Sequence, residues 1–125
     1  MKAQADTLTF LVVDDYGAFR RILRQMVESH PHWSVLAEAR DGQEAVQLAM
    51  ACCPQVVLMD VVMPVMNGIE ATRRIKQSLP ETRVIMFSAH HEEEFQRKSL
   101  QAGADYFLWK EELDEACLER IVQSQ

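Results

Sequence analysis

Polar and apolar positions along this chain switch between two periods from one end to the other. Thr7 to Val13 (TLTFLVV) is an apolar, β-branched run closed by Asp14 and Asp15, which predicts a strand. From Tyr16 to Ser29 the spacing turns helical: Phe19, Ile22, Leu23, Met26 and Val27 recur on one side, opposite Arg20, Arg21, Arg24 and Gln25. His30-Pro31 stops that helix. Trp33 to Ala39 (WSVLAEA) alternates loosely as a second strand. Asp41 with Glu44 then makes a capping-box-like start for a helix with Ala45, Leu48, Ala49 and Cys52 inward.

The run Val56 to Met59 is unbroken and apolar, and Pro54 and Pro64 bound it too tightly for an ordinary helix. It predicts a strand buried on both faces, ending at Asp60. A carboxylate there is costly unless compensated, because an isolated charge in a dry interior shifts its pKa and neutralises. Asp60 therefore either caps a turn, as Asp after a strand often does, or sits at an opening.

Asn67 to Leu79 predicts a helix with Gly68, Ala71, Thr72, Ile75 and Leu79 on one side, closed by Pro80. Arg83 to Ser88 (RVIMFS) predicts a fourth strand. The helix from His91 to Ala102 is thin in apolar residues, chiefly Phe95, Leu100 and Ala102, and Gly103 supplies a C-cap. Such a marginal helix is a good candidate to move. Asp105 to Trp109 (DYFLW) predicts a fifth strand, and Glu111 to Val122 a last helix with Leu113, Cys117, Leu118 and Ile121 inward.

Five strands alternating with five helices imply an α/β fold with a parallel sheet covered on both faces, since parallel neighbours need crossovers and crossovers are right-handed. Ligands of such sheets bind at the carboxyl ends of the strands. Asp14 and Asp15, Asp60, Ser88 and Lys110 all fall at those ends and are expected on one edge of a single domain spanning residues 1–125.

Bulk properties narrow the functions. A chain of 125 residues buries a core without staples, and 48% hydrophobic with 26% charged residues is ordinary for a globular protein. The net charge of -6 argues against direct nucleic-acid binding and fits recruitment of a cation. Cys52, Cys53 and Cys117 have no metal-ligand spacing and are expected as small apolar filler in a reducing compartment. MKAQADTLTF lacks the apolar core of a signal peptide, and no stretch approaches a membrane span, so the expected compartment is the cytoplasm.

Three carboxylates at one rim repel, by roughly 4 kcal/mol per pair at about 4 Å and an effective dielectric near 20. A divalent cation relieves that conflict, and oxygen-only ligands suit Mg²⁺ and not zinc. Lys110 can neutralise a phosphoryl oxygen while Ser88 donates a hydrogen bond to another. The set reads as phosphoryl transfer to a carboxylate, with Asp60 as nucleophile and Asp14 and Asp15 placed for metal.

These residues carry a family resemblance. The Asp14-Asp15 pair, DVVMPVMNG from Asp60, the strand ending in FSA and AGADYFLWK occur in the order and approximate spacing of the response-regulator receiver domain of two-component signalling, from about Leu8 to Ile121. DVVMPVMNGIEATRRIK, and Lys110 followed by Glu111 and Glu112, look most like the LuxR-type regulators. The resemblance implies a flavodoxin-like, doubly wound five-stranded sheet of order 2-1-3-4-5. It implies Asp60 as phospho-acceptor and Asp15 as direct Mg²⁺ ligand. Asp14 would assist through water, and the Val62 carbonyl would complete the protein ligands. Ser88 and Lys110 match the phosphoryl-contacting hydroxyl and lysine, and Tyr106 the aromatic that swings inward as Ser88 is drawn to the phosphate. The implied partners are a sensor histidine kinase or phosphotransfer protein, docking on the first helix, and a second copy on phosphorylation. The implied output is transcription through a DNA-binding domain not in this chain.

Two positions depart from the family pattern. Glu111 stands where a cis proline commonly follows the lysine, and Tyr16-Gly17 where His-Pro often follows the acid pair. Two other readings are weaker. A haloacid-dehalogenase-type phosphatase needs a second Asp at the position of Val62, and a receiver-like interaction module would not need every acceptor and metal position intact. Neither GxGxxG nor GxxxxGK[ST] appears. His90 and His91 are read as surface helix residues, and Glu92, Glu93 and Glu94 as a solvated helix start favoured by the dipole.

Overall fold

The structure is a computed structural model that describes residues 7–124. Residues 1–6, on which most of the expectation about a leader falls, lie outside the described residues. The order is β1 (Leu8–Val13), α1 (Gly17–Glu28), β2 (Trp33–Ala39), α2 (Gly42–Cys52), β3 (Val56–Asp60), α3 (Gly68–Ser78), β4 (Arg83–Ser88), α4 (Glu93–Gln101), β5 (Tyr106–Trp109) and α5 (Glu115–Gln123). All strand pairs are parallel, as the alternation of elements predicts, in the order β2-β1-β3-β4-β5 that the family resemblance implies. Among the described residues no helix is long and apolar enough to cross a membrane.

Strand alternation divides the core between the two faces of the sheet. Leu11, Val13, Val57, Met59, Val84, Met86 and Phe107 face one layer with Ala45 and Ala49 of α2 and Ala71 and Ile75 of α3. Phe10, Val12, Leu58, Ile85, Phe87 and Leu108 face the other with Leu23 and Val27 of α1 and Leu118 and Ile121 of α5. Every residue of β3 is buried, as its unbroken apolar run requires.

Local chemistry sets the helix starts. Asp41 accepts from the Glu44 amide while Glu44 reaches back to the Arg40 amide, closing the predicted box one residue further out. Asn67 caps α3 through the Glu70 amide, and Asp114 caps α5 through that of Cys117. Gly68 must be glycine, because a Cβ there would lie 2.2 Å from the carbonyl oxygen of Asp60. The same close approach recurs at Gly42, whose Cβ would meet the Met66 carbonyl oxygen at 2.2 Å. These two contacts hold the loop after Asp60 against the start of α2.

Several expectations need correction. The last helix is not continuous from Glu111: a 3-10 turn over Lys110–Glu112 precedes α5, because Asp114 caps a new helix at Glu115. On α4, Phe95 packs against the core as expected, but the fully buried residue is Ser99, while Leu100 is 45% exposed. Ile22 on α1 is likewise 44% exposed. Cys52 and Cys53 are exposed free thiols and only Cys117 is half-buried, so the first two are not apolar filler. Cys53 closes α2 in the left-handed region, with φ of 48°, which turns its side chain out of the helix's inner stripe.

Candidate functional site

The carboxyl ends of β1, β3, β4 and β5 bring the predicted residues to one edge. Asp14, Asp15 and Asp60 each offer a carboxylate oxygen, and those atoms all lie within 4.8 Å of one another. Asp14 is fully buried and Asp60 6% exposed, whereas Asp15 is open to solvent. Asp60 extends a strand that is central and apolar throughout, so its burial follows from β3 itself.

Hydrogen bonds orient this set. Asp60 Oδ1 accepts from the Val62 amide at 3.1 Å, and Asp14 Oδ1 from the Tyr16 amide at 2.9 Å. The remaining oxygens turn toward Lys110, whose Nζ lies 3.0 Å from Asp14 Oδ2 and 3.5 Å from Asp60 Oδ2. The ammonium also sits 4.2 Å from the Phe19 ring centroid and 5.8 Å from that of Phe87, which holds it over the site. Burial raises the Asp60 carboxyl from 3.8 to about 6, the charge of Asp14 adds to the rise, and Lys110 and the Val62 amide oppose it.

The cluster is one charge short of balance. Two acids deep in the site face one ammonium, and Asp14 Oδ2, although ion-paired, meets no donor in hydrogen-bond geometry among the described residues. An oxygen-only donor set in which three carboxylates gather around one ammonium fits a hard divalent cation such as Mg²⁺.

Ser88 is buried at the end of β4, and its hydroxyl is engaged by its own loop: Oγ accepts from the His90 amide at 3.0 Å and donates to the His90 carbonyl at 3.1 Å. That loop is joined to the Lys110 turn. His91 stacks on Trp109 with centroids 4.3 Å apart, and its Nε2 lies 2.6 Å from Glu111 Oε2. Glu111, in the position where the family commonly has proline, thus links the two loops.

The structure does not bring Tyr106 to Ser88. Met86 pairs with Phe107 and Ser88 with Trp109, so those aromatics share the face of Ser88, while Tyr106 pairs with Ile85 and is 40% exposed on the opposite face. The aromatic column beside Ser88 is Phe107 and Trp109, edge to face at 4.9 Å, continued by His91. The strand's alternation could have found it, since Phe107 and Trp109 are two apart and Tyr106 is out of phase. On the polar side of α1, Arg20 is folded back on the sheet and bonded, whereas Arg21 is exposed.

Comparison with known proteins identifies a family. The family model for the response regulator receiver domain matches residues 10–122. The chain belongs to that family. The receiver is 34% identical over 114 residues to the transcriptional regulatory protein DegU of Brevibacillus brevis, covering 91% of this chain and 48% of that one. It is 45% identical over 107 residues to a protein-glutamate methylesterase/protein-glutamine glutaminase of Myxococcus xanthus, covering 84% of this chain and 30% of the other. The chain therefore spans about half or less of these curated relatives. Among solved structures, a LuxR-family two-component response regulator from an Aurantimonas species superposes with a TM-score of 0.86 at 35% identity, covering 94% of this chain and 84% of its own. The likeness to LuxR-type regulators read from the sequence holds at the level of structure.

Proposed function

We propose that this receiver takes a phosphoryl group onto Asp60 from the phosphohistidine of a sensor kinase or phosphotransfer protein, in a reaction that requires Mg²⁺, and so switches an output. The observation that carries this reading is the buried Asp60 carboxylate facing Lys110 within a cluster of three acids. With its acid range ending at about 6, Asp60 is mainly ionised at neutral pH and able to attack. In the transfer, an Asp60 oxygen forms a bond to phosphorus as the phosphorus–nitrogen bond to imidazole breaks, and the leaving imidazole recovers a proton from solvent.

Asp15, Asp14, Asp60 and the Val62 carbonyl would hold the ion. When bound, it supplies positive charge to the phosphoryl oxygens and removes the repulsion among the acids. Lys110, confined over Phe19, provides the second positive charge, and Ser88 gains a better acceptor than its own loop. Moving Ser88 frees the His90 loop and opens space beside Phe107 and Trp109. We therefore assign the switching aromatic to Phe107, with Trp109 and His91 above it, and not to Tyr106.

The chain itself has no catalytic duty toward other substrates in this reading. Its relatives place similar domains in a transcriptional regulator and in a methylesterase, and the LuxR likeness favours transcription. Dimerisation on phosphorylation, a single domain over the full chain and a cytoplasmic location belong to the same proposal.

Incubation with Mg²⁺ and a small acyl-phosphate donor tests it by intact mass. One added phosphate, acid-stable and base-labile, is expected in the wild type and absent from Asp60→Asn or in excess chelator. Labelling that persists in Asp60→Asn contradicts the assignment, and no labelling in the wild type points to an interaction module.

A further inference from the structure

Helical spacing puts Arg20 on the polar side of α1, yet its side chain is only 18% exposed and both ends of its fork are used. Nη1 donates to the carbonyl oxygen of Asp14 at 2.7 Å, and Nε to Glu38 Oε1 at 2.9 Å. Glu38, on β2, is gripped from its other side by Arg24. Burial pushes the Glu38 carboxyl up, but the bonds from Arg24 and Arg20 outweigh it and hold the group below its ordinary value. Glu38 is thus a fixed anion that anchors the guanidinium.

The Asp14 carbonyl is a sensitive place to hold. The Asp14 amide donates to the Ala39 carbonyl at 3.1 Å and the Asp14 side chain accepts from Tyr16. The chain then leaves the sheet for Asp15, which is exposed. The peptide between the two acids is therefore pinned on its carbonyl side by Arg20. Rotation of that peptide plane would carry the Asp15 carboxylate away from Asp14 and Asp60, a rearrangement that repulsion among the three acids favours.

We propose that Arg20 is a positioning residue for the cation site: its fork ties the Asp14 carbonyl to Glu38 and holds the Asp14–Asp15 pair at the spacing a divalent ion requires. This rests on the reading of the acidic cluster as a Mg²⁺ site. The task suits arginine, because a rigid planar fork spans two acceptors of fixed separation where an ammonium is a point charge. It also removes Arg20 from the surface that a kinase could touch, leaving that role to Arg21.

Mg²⁺ titration of the metal-free chain, followed by amide chemical shifts, tests the proposal apart from phosphorylation. Arg20→Gln is expected to weaken Mg²⁺ binding about tenfold, the size usual for losing a group that orients a ligand. Arg20→Lys should recover only part of that loss. Arg24→Gln removes the other cation from Glu38 without touching Asp14, and its Mg²⁺ affinity should stay within about twofold of wild type. At saturating Mg²⁺, acyl-phosphate labelling of Arg20→Gln should return to the wild-type rate.

An unchanged Mg²⁺ affinity in Arg20→Gln overturns the proposal, as does an equal loss in Arg24→Gln, which would trace the effect to the ion-pair network. Should Arg20→Gln fail to fold, Arg20→Lys decides, and wild-type affinity there is again contrary. If the wild type shows no Mg²⁺ binding that Asp15→Asn abolishes, the metal reading itself has failed, and the role of Arg20 falls with it.

Discussion

The helices α3 and α4 flank the same edge of the sheet but are held very differently. On α3, Gly68, Ala71, Thr72 and Ile75 are buried, Thr72 donates to the Met86 sulfur, and Gly68 abuts the Asp60 backbone. On α4 the only buried residue is Ser99, whose hydroxyl has no partner among the described residues, and the helix starts without a side-chain cap. Asp60 therefore lies against a closely packed helix, while Ser88 leads into one that meets the core chiefly through Phe95 and Ser99. A site built this way can bind charge at one side and express the result as movement at the other.

Side-chain truncation should separate the two helices most strongly. Ile75→Ala, in the core under α3, should cost about 2–5 kcal/mol in urea unfolding, whereas Leu100→Ala on α4 should stay within about 0.5 kcal/mol. Equal losses would mean that α4 is packed as firmly as α3.

Asp60→Asn comes next. The folded carboxyl titrates near 6 against an ordinary 3.8, so the native state holds its proton more tightly than the unfolded one. Well below pH 3.8 both states are protonated and the group is neutral in its effect. As pH rises through 6 the native state must accept a buried charge, so Asp60 lowers stability there by up to about 3 kcal/mol. In chelator, Asp60→Asn should gain that amount at pH 7 to 8, with the gain shrinking steadily as the pH is lowered toward about 4, measured by urea unfolding across the range.

The loop after Asp60 carries a smaller strain. Val65 has φ of 68° and is 76% exposed, a conformation that a β-branched residue adopts at a cost. Val65→Gly should stabilise by about 1 kcal/mol in thermal unfolding, which would sharpen the contrast by making the acid side firmer still. The smallest effect belongs to the link across the loose side. The His91–Glu111 pair is half exposed on both partners, so Glu111→Gln should cost less than about 1 kcal/mol. Its clearer sign is a change in Trp109 emission in a Trp33→Phe background, as the stack loosens.

Much of the acid side was legible in the sequence because its determinants are local and periodic. The unbroken run of β3, the acid pair after β1 and the caps at Asp41 and Asn67 need only nearest neighbours to interpret. What escaped depends on partners distant in the chain. Arg20 has the spacing of a surface residue, and only β2, placed alongside, supplies the Glu38 that draws it in. Helix α4 has too few apolar residues to fix its own rotation, so Leu100 reads as inward although Ser99 is the buried one. Tyr106 follows from the resemblance alone, whereas the alternation of β5 puts Phe107 and Trp109 with Ser88. The break before α5 was readable from Asp114, a capping residue three positions before Cys117, but the apolar spacing runs through it.

Amide hydrogen exchange with and without beryllofluoride and Mg²⁺ tests most directly whether one side of the site holds while the other moves. Exchange should change over His90 to Gln101 and along β5, with α3 protected to the same degree in both states. A change centred on α3 with α4 unaffected, in protein shown to have bound the ligand, would contradict the account.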